Sequence, residues 1–168
     1  MVAGLIASSV TIAVSKILEE KDKLGFVSGS AASSITNEHC TPNHIHYVYD
    51  TYPLANGTAS AVVKEGGKSW YLLTADYAFG HALEADVTQV VEANGGEIVG
   101  SIRHPFPTQD FSSFILQAQS SGADVVGLAN AGADTTNAIT TAMEFGVTQG
   151  GQTLAALLLY LTDVHALG

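Results

Sequence analysis

The sequence predicts an α/β protein built on parallel, doubly wound sheets. Short apolar runs recur along it, at Leu24–Val27, Trp70–Leu73 and Asp124–Ala129. Between them apolar residues return at helical spacing, as at Leu83, Val87, Val90 and Val91. Strands alternating with helices of ~10–15 residues require parallel pairing and right-handed crossovers.

In chain order, Val2–Ala7 reads as the end of a strand, and Ser8 and Ser9 as helix-capping residues. Val10, Ala13, Val14, Ile17 and Leu18 then form one apolar helical face. Leu24–Val27 is the next strand and runs into a loop of small residues, Ser28–Ser34. Small side chains let a ligand approach the backbone and leave N–H groups free for an anion. The same composition also suits a plain flexible loop.

Pro42-Asn43 is turn chemistry ahead of a strand at Ile45–Val48. Asp50 or Thr51 caps a helix that stops at Gly66-Gly67. Ser69–Thr74 is the central strand of the reading. Its helix ends at Asn94-Gly95-Gly96 and is followed by a strand at Glu97–Ile102. A loop with two prolines follows, at Arg103–Gln109, and Asp110 caps the helix of Phe111, Phe114, Ile115 and Ala118. After the strand Asp124–Ala129 come a small loop, Asn130–Asp134, and a helix through Ala138, Ala142 and Phe145. Leu154–Leu159 is apolar throughout, as for a central strand covered on both faces.

The 168 residues suit one domain or two small lobes. Six Lys and Arg against sixteen Asp and Glu give a formal charge of −10. Such a surface repels nucleic-acid phosphates and anionic membranes, so no nucleic-acid partner is expected. One cysteine, Cys40, excludes an internal disulfide. The apolar start lacks the basic region of a signal peptide. Asn56-Gly57-Thr58 is a formal glycosylation triplet inside an expected helix.

Ligands of open α/β sheets sit beyond the carboxyl ends of the strands. The stretch Leu72–His81 places Asp76, Tyr77, Phe79 and His81 there. The two aromatics either meet a ligand or pack the loop onto its own helix. Asp76, Asp134 and Asp163 could pair with His81 or His165 as acid and base. Asp76 and Asp134 are equally suited to capping the helices that follow them. The sequence has no G-x-S-x-G elbow, no phosphate loop and no G-x-G-x-x-G after a strand, so an enzyme is not expected. His39, Cys40, His44 and His46 are of metal-ligating type, and His44 and His46 would share a strand face. Their spacing fits a turn and strand, and neither metal nor cofactor is expected.

Several motifs together resemble the branched-chain-amino-acid type of periplasmic substrate-binding protein, the soluble receptor of an ABC importer. They are Ser8-Ser9, Val27–Ser34, Cys40–Asn43, Tyr49–Tyr52, Thr74–Gly80, Asp110–Ser113 and Gly127–Gly132. The resemblance implies a type I periplasmic binding fold, in which two lobes close over one ligand. Residues 1–49 would be part of the first lobe and residues 50–168 most of the second. It implies that Ser9 binds a ligand carboxylate and that Ser30 and Ala32 hold the polar head. Ala32 stands where a threonine is common, leaving only backbone contact. Tyr77 and Phe79 would cover the ligand, and Asn130 and Asp163 would line the second lobe, with Asp163 able to pair an ammonium. Members of this family are about twice as long, so a piece of a longer protein is expected. The implied partners are a small carboxylate, such as an amino acid or aromatic acid, and a membrane permease, in the periplasm or another extracytoplasmic space. The same fold also serves as a sensor in regulators and receptors. A flavodoxin-like or Rossmann-like enzyme is the remaining alternative.

Overall fold

The computed structural model describes residues 1–168 and divides seven strands between two parallel sheets. The first sheet joins β1 (Val2–Ala3), β2 (Gly25–Val27) and β3 (His44–His46) in that order. The second runs β5 (Glu97–His104), β4 (Ser69–Ala75), β6 (Val125–Ala129), β7 (Thr153–Ala156). Helices α1 (Ser8–Glu20), α2 (Thr51–Lys64), α3 (Ala78–Ala93), α4 (Ser112–Ser120) and α5 (Ala133–Glu144) alternate with the strands. A short α6 (Leu161–Leu167) closes the chain. The parallel β-α alternation expected from the apolar pattern is the observed one. No helix is long and apolar enough to cross a membrane.

The second sheet has a core on each face because side chains alternate along its strands. Trp70 and Leu72 of β4 and Val125 and Ala129 of β6 face α2 and α3, with Ala55, Ala59, Leu83, Val87 and Val91. Leu73, Val126 and Leu128 point the other way, onto Phe111, Ile115, Ala138 and Ala142. Two glycines let these layers close up. A Cβ on Gly80 would lie 2.0 Å from the Ala75 carbonyl oxygen, so α3 sits directly on the end of β4. A Cβ on Gly127 would enter the space of Leu72 and Trp70.

Several expectations are corrected. Neither Ser8 nor Ser9 caps α1, whose N-cap is Ala7 with no side-chain bond. The buried face of α1 is Ser8, Thr11, Ser15 and Leu18, while Val10 and Ile17 are exposed. The helix meets its sheet at close range through small residues: a Cβ on Gly25 would come within 2.6 Å of Leu18. The third strand is His44–His46, because pairing with β2 fixes Gly25 opposite His44 and Val27 opposite His46. Val2–Ala7 is a strand only at Val2–Ala3, and β5 continues to His104.

The apolar run Leu154–Leu159 is not a central strand. β7 is an edge strand in this chain, and Leu157 and Leu158 are buried beyond it, in the turn leading to α6. Asp76 and Asp134 do not cap their helices: the N-caps of α3 and α5 are Tyr77 and Gly132, neither with a side-chain bond. Asp50 does cap α2, accepting from the Tyr52 N–H at 3.0 Å.

The Gly80 contact gives the first prediction. Gly80→Ala drives a methyl into backbone and should cost at least about 1–3 kcal/mol, the usual range for overpacking. Gly57, exposed within α2 with nothing within 4 Å of its missing Cβ, should do the opposite. Gly57→Ala should gain ~0.5–1 kcal/mol through helix propensity. Urea unfolding of both variants against the parent checks the pair of signs.

Candidate functional site: a cavity between the two sheets

A cavity of about 190 Å³ opens where the loops after the strands of both sheets converge. The first half contributes Ile6, Ser8, Gly29 and Ala31; the second contributes Tyr77, Phe79, Phe106, Ala131, Gly132, Leu158 and Tyr160. None of these eleven residues carries a charge.

Side chains of the first half are ordered by bonds between its loops. Ser8, buried at the first turn of α1, accepts from the Ala32 N–H at 3.2 Å through Oγ. Its own hydroxyl proton remains available to an acceptor. The first N–H groups of a helix have no partner within it, and α1 opens without a side-chain cap to take them up. Ser30 donates to the Leu5 carbonyl at 2.7 Å and contacts the Thr11 hydroxyl, so its side chain is fully buried in the wall. Its carbonyl oxygen lies 2.7 Å from His46 Nε2.

The second half presents aromatic rings. Tyr77 stacks on Phe106 with centroids 4.7 Å apart and tilts against Phe79 at 5.9 Å. Burial, with the Asp134 charge nearby, pushes the Tyr77 hydroxyl up to about 12. Tyr160 Oη accepts from Tyr49 Oη at 3.1 Å. Burial, above all, raises the Tyr160 pKa above that of a free tyrosine. Both hydroxyls therefore stay protonated at neutral pH.

Beneath Phe106 and the 131–132 turn lies a buried polar network. His104 Nε2 sits 3.2 Å from Asn130 Nδ2, and Asn130 Oδ1 accepts from Thr135 Oγ1 at 2.8 Å. His104 Nδ1 is 2.9 Å from the Pro105 carbonyl oxygen. Asp134 Oδ1 accepts from the Thr108 N–H at 3.1 Å, and Oδ2 is 3.7 Å from His104 Nδ1 with no hydrogen bond of its own. Burial raises the Asp134 pKa against the Thr108 bond and the His104 charge, which pull it down.

Of the residues expected at a site, Tyr77 and Phe79 line the cavity. Ser30, Ala32 and Asn130 lie directly beside lining residues, fully buried, with their polar groups engaged in the bonds above. Ser9 is exposed and reaches across to the other half, where Oγ accepts from the Ala78 N–H at 3.1 Å. Asp163 is outside the lining, and its Oδ2 accepts from the Tyr160 N–H at 2.9 Å at the start of α6. The sequence reading missed Phe106 and Tyr160. Phe106 was legible in principle, because the segment after β5 is a post-strand loop like the others. Tyr160 was hidden by the apolar run that ends just before it.

The histidines lie elsewhere. His81 Nε2 pairs with Asp76 Oδ1 at 2.8 Å, both half-exposed. His81 borders a separate hollow of about 450 Å³ with Glu84, Thr88, Gln89, Glu92 and Arg103. Thr88, the one hydroxyl there, donates to the Glu84 carbonyl. His44 and His46 do share a face of β3, and His44 Nδ1 is 3.2 Å from Thr41 Oγ1. No three His, Cys, Asp or Glu side chains come together closely enough to share a metal ion.

A model of the periplasmic binding protein family matches residues 1–168. The chain belongs to that family. A periplasmic binding protein from Burkholderia mallei is 55% identical and superposes with a TM-score of 0.95, over 99% of this chain and 44% of its own. A solute-binding protein of an ABC transporter from Rhodopseudomonas palustris, solved in complex with 4-hydroxybenzoate, is 27% identical. It superposes with a TM-score of 0.82, over 90% of this chain and 41% of its own. The Leu/Ile/Val-binding protein homolog 6 of Brucella abortus is 28% identical over 124 residues, which are 74% of this chain and 31% of that protein. The chain thus spans less than half the length of these family members.

Asp134 yields the second prediction. A carboxyl whose folded pKa is raised stabilises the fold when protonated, and that contribution is lost as pH rises through the carboxylate range. Asp134→Asn removes the penalty of ionising at this position. The melting temperature of the variant relative to the parent should therefore rise steadily across that range. Thermal melts of both proteins at matched pH values check it.

Proposed function

We propose that this chain forms the ligand-gripping part of an extracytoplasmic solute-binding protein, which captures a small carboxylate for the permease of an ABC importer. In this reading residues 1–49 belong to one lobe and residues 50–168 to the other. The observation that carries it is the cavity between the two sheets, with an uncapped helix start on one side and an aromatic wall on the other.

The chemistry of the grip follows from those walls. Free N–H groups and the helix dipole at the start of α1 favour a negative charge. Ser8, buried and facing the cavity, adds a hydroxyl donor. Ser30 and Ala32 hold the adjoining loop at the distance that contact needs. Tyr77 and Phe79 cover the ligand from the second half, and Asn130 fixes the turn of Ala131 and Gly132. Ser9, bonded to Ala78 N–H, joins the two halves when they are closed. Membership of the periplasmic binding protein family supports this reading, as does the benzoate-type ligand of the Rhodopseudomonas palustris relative.

The test is calorimetry of the chain with matched acids and amides: benzoate against benzamide, and leucine against leucinamide. At least one acid should bind while its amide does not, because the amide keeps the shape and lacks the charge. A charge-assisted hydrogen bond is worth ~1.5–3 kcal/mol, so Ser8→Ala should weaken the acid by roughly tenfold or more. An amide that binds as well as its acid would remove the helix start from the mechanism.

A further inference from the structure

Resting on the carboxylate site just proposed, we infer that Asp134, buried behind the second half's wall, takes up a proton when an anion enters the cavity, so that capture is proton-linked. Three ties bring the Asp134 carboxyl close behind that wall. It follows the lining turn of Ala131 and Gly132 within α5's first turn. Its Oδ1 accepts from the Thr108 N–H at 3.1 Å, in the loop that carries the lining residue Phe106. Its charge also reaches the hydroxyl of Tyr77, another lining residue, where it acts with burial to keep that proton in place.

The oxygens of Asp134 are unlike. Oδ1 has the Thr108 bond, whereas Oδ2 is buried without a hydrogen bond, 3.7 Å from His104 Nδ1. A proton settling on Oδ2 therefore breaks no bond that the carboxylate makes. The titratable groups that act on this carboxyl are His104 at the end of β5 and Tyr77 at the start of α3. Around His104, β6 contributes Asn130, α5 contributes Thr135 behind it, and α4 turns the rings of Phe111 and Phe114 inward. None of those four titrates.

A ligand carboxylate in the cavity adds a second negative charge on the far side of Tyr77 and the 131–132 turn. A like charge disfavours ionisation, and behind a buried wall it is poorly screened. Burial already raises the Asp134 pKa, against the Thr108 bond and the His104 charge. The ligand's charge acts in the same direction as burial. By linkage, protonated Asp134 holds an anion more tightly than ionised Asp134 does. Anion affinity is thus greatest below the range in which Asp134 ionises and falls as pH rises through it.

Calorimetry with benzoate tests this, in buffers of different ionisation enthalpy and at several pH values above the range in which benzoate itself is protonated. Benzoate is the probe because its carboxylate is its only charge. The parent should take up a fraction of a proton per benzoate bound. Its affinity should fall about three- to tenfold as pH rises through the titration of Asp134. Asp134→Asn keeps an acceptor for Thr108. This variant should take up no proton, show no such fall, and bind benzoate more tightly than the parent at neutral pH, a gain that damage to the wall would not produce. Benzoate binding by the parent without proton uptake overturns the inference and leaves the carboxylate site standing, and so does uptake that persists in Asp134→Asn. Benzoate that does not bind overturns it as well, and leucine against leucinamide then decides whether the carboxylate site falls with it.

Discussion

The approach of α3 onto the end of β4 is the contact on which the rest depends. At Gly80 the helix and strand are so close that no side-chain atom fits between them. The chain must therefore reverse within Asp76-Tyr77, and Tyr77 becomes the N-cap of the helix. That turn delivers Tyr77 and Phe79 to the rim side by side. Phe79 is largely buried in the core shared with α2, yet its ring also forms cavity wall. Packing and site are built from the same atoms at this point.

Around that turn, the two halves are joined by hydroxyl groups instead of ion pairs. Ser9 receives the first free N–H of α3, Thr51 receives the N–H of Ser33, and Tyr49 donates to Tyr160. Each is a single neutral hydrogen bond, worth ~1 kcal/mol net. Such single links are what the proposed opening and closing of two lobes would need. The His104–Asn130–Thr135 network does the opposite. It is sealed beneath the wall, and each bond it makes fixes the Phe106 turn or the 131–132 turn in place.

The order of strands and helices was readable because apolar period and glycine stops agree along the whole second half. The run Trp70–Leu73 announces a strand, and in the structure Trp70 and Leu72 enter one core and Leu73 the other. Where the reading went astray, side-chain size or position in the sheet decided against hydrophobicity. The face of α1 was misread because small polar residues allow closer packing than Val10 and Ile17 do. Leu154–Leu159 was misread because burial in a turn looks the same in sequence as burial in a central strand. The cavity lies at the post-strand loops that topology singles out, but which of two neighbouring residues faces into it depends on backbone torsions. Hence Ser8 and Ala31 line the cavity where Ser9 and Ala32 were expected.

The central claim is that one ligand is held by both halves at once. Hydrogen–deuterium exchange of the chain with and without 4-hydroxybenzoate tests it most directly. The account predicts slowed exchange in two separated segments together: the first turn of α1 with residues 29–32, and residues 77–80 with 131–132. Protection confined to one half, or centred on the hollow beside His81 and Arg103, would contradict it.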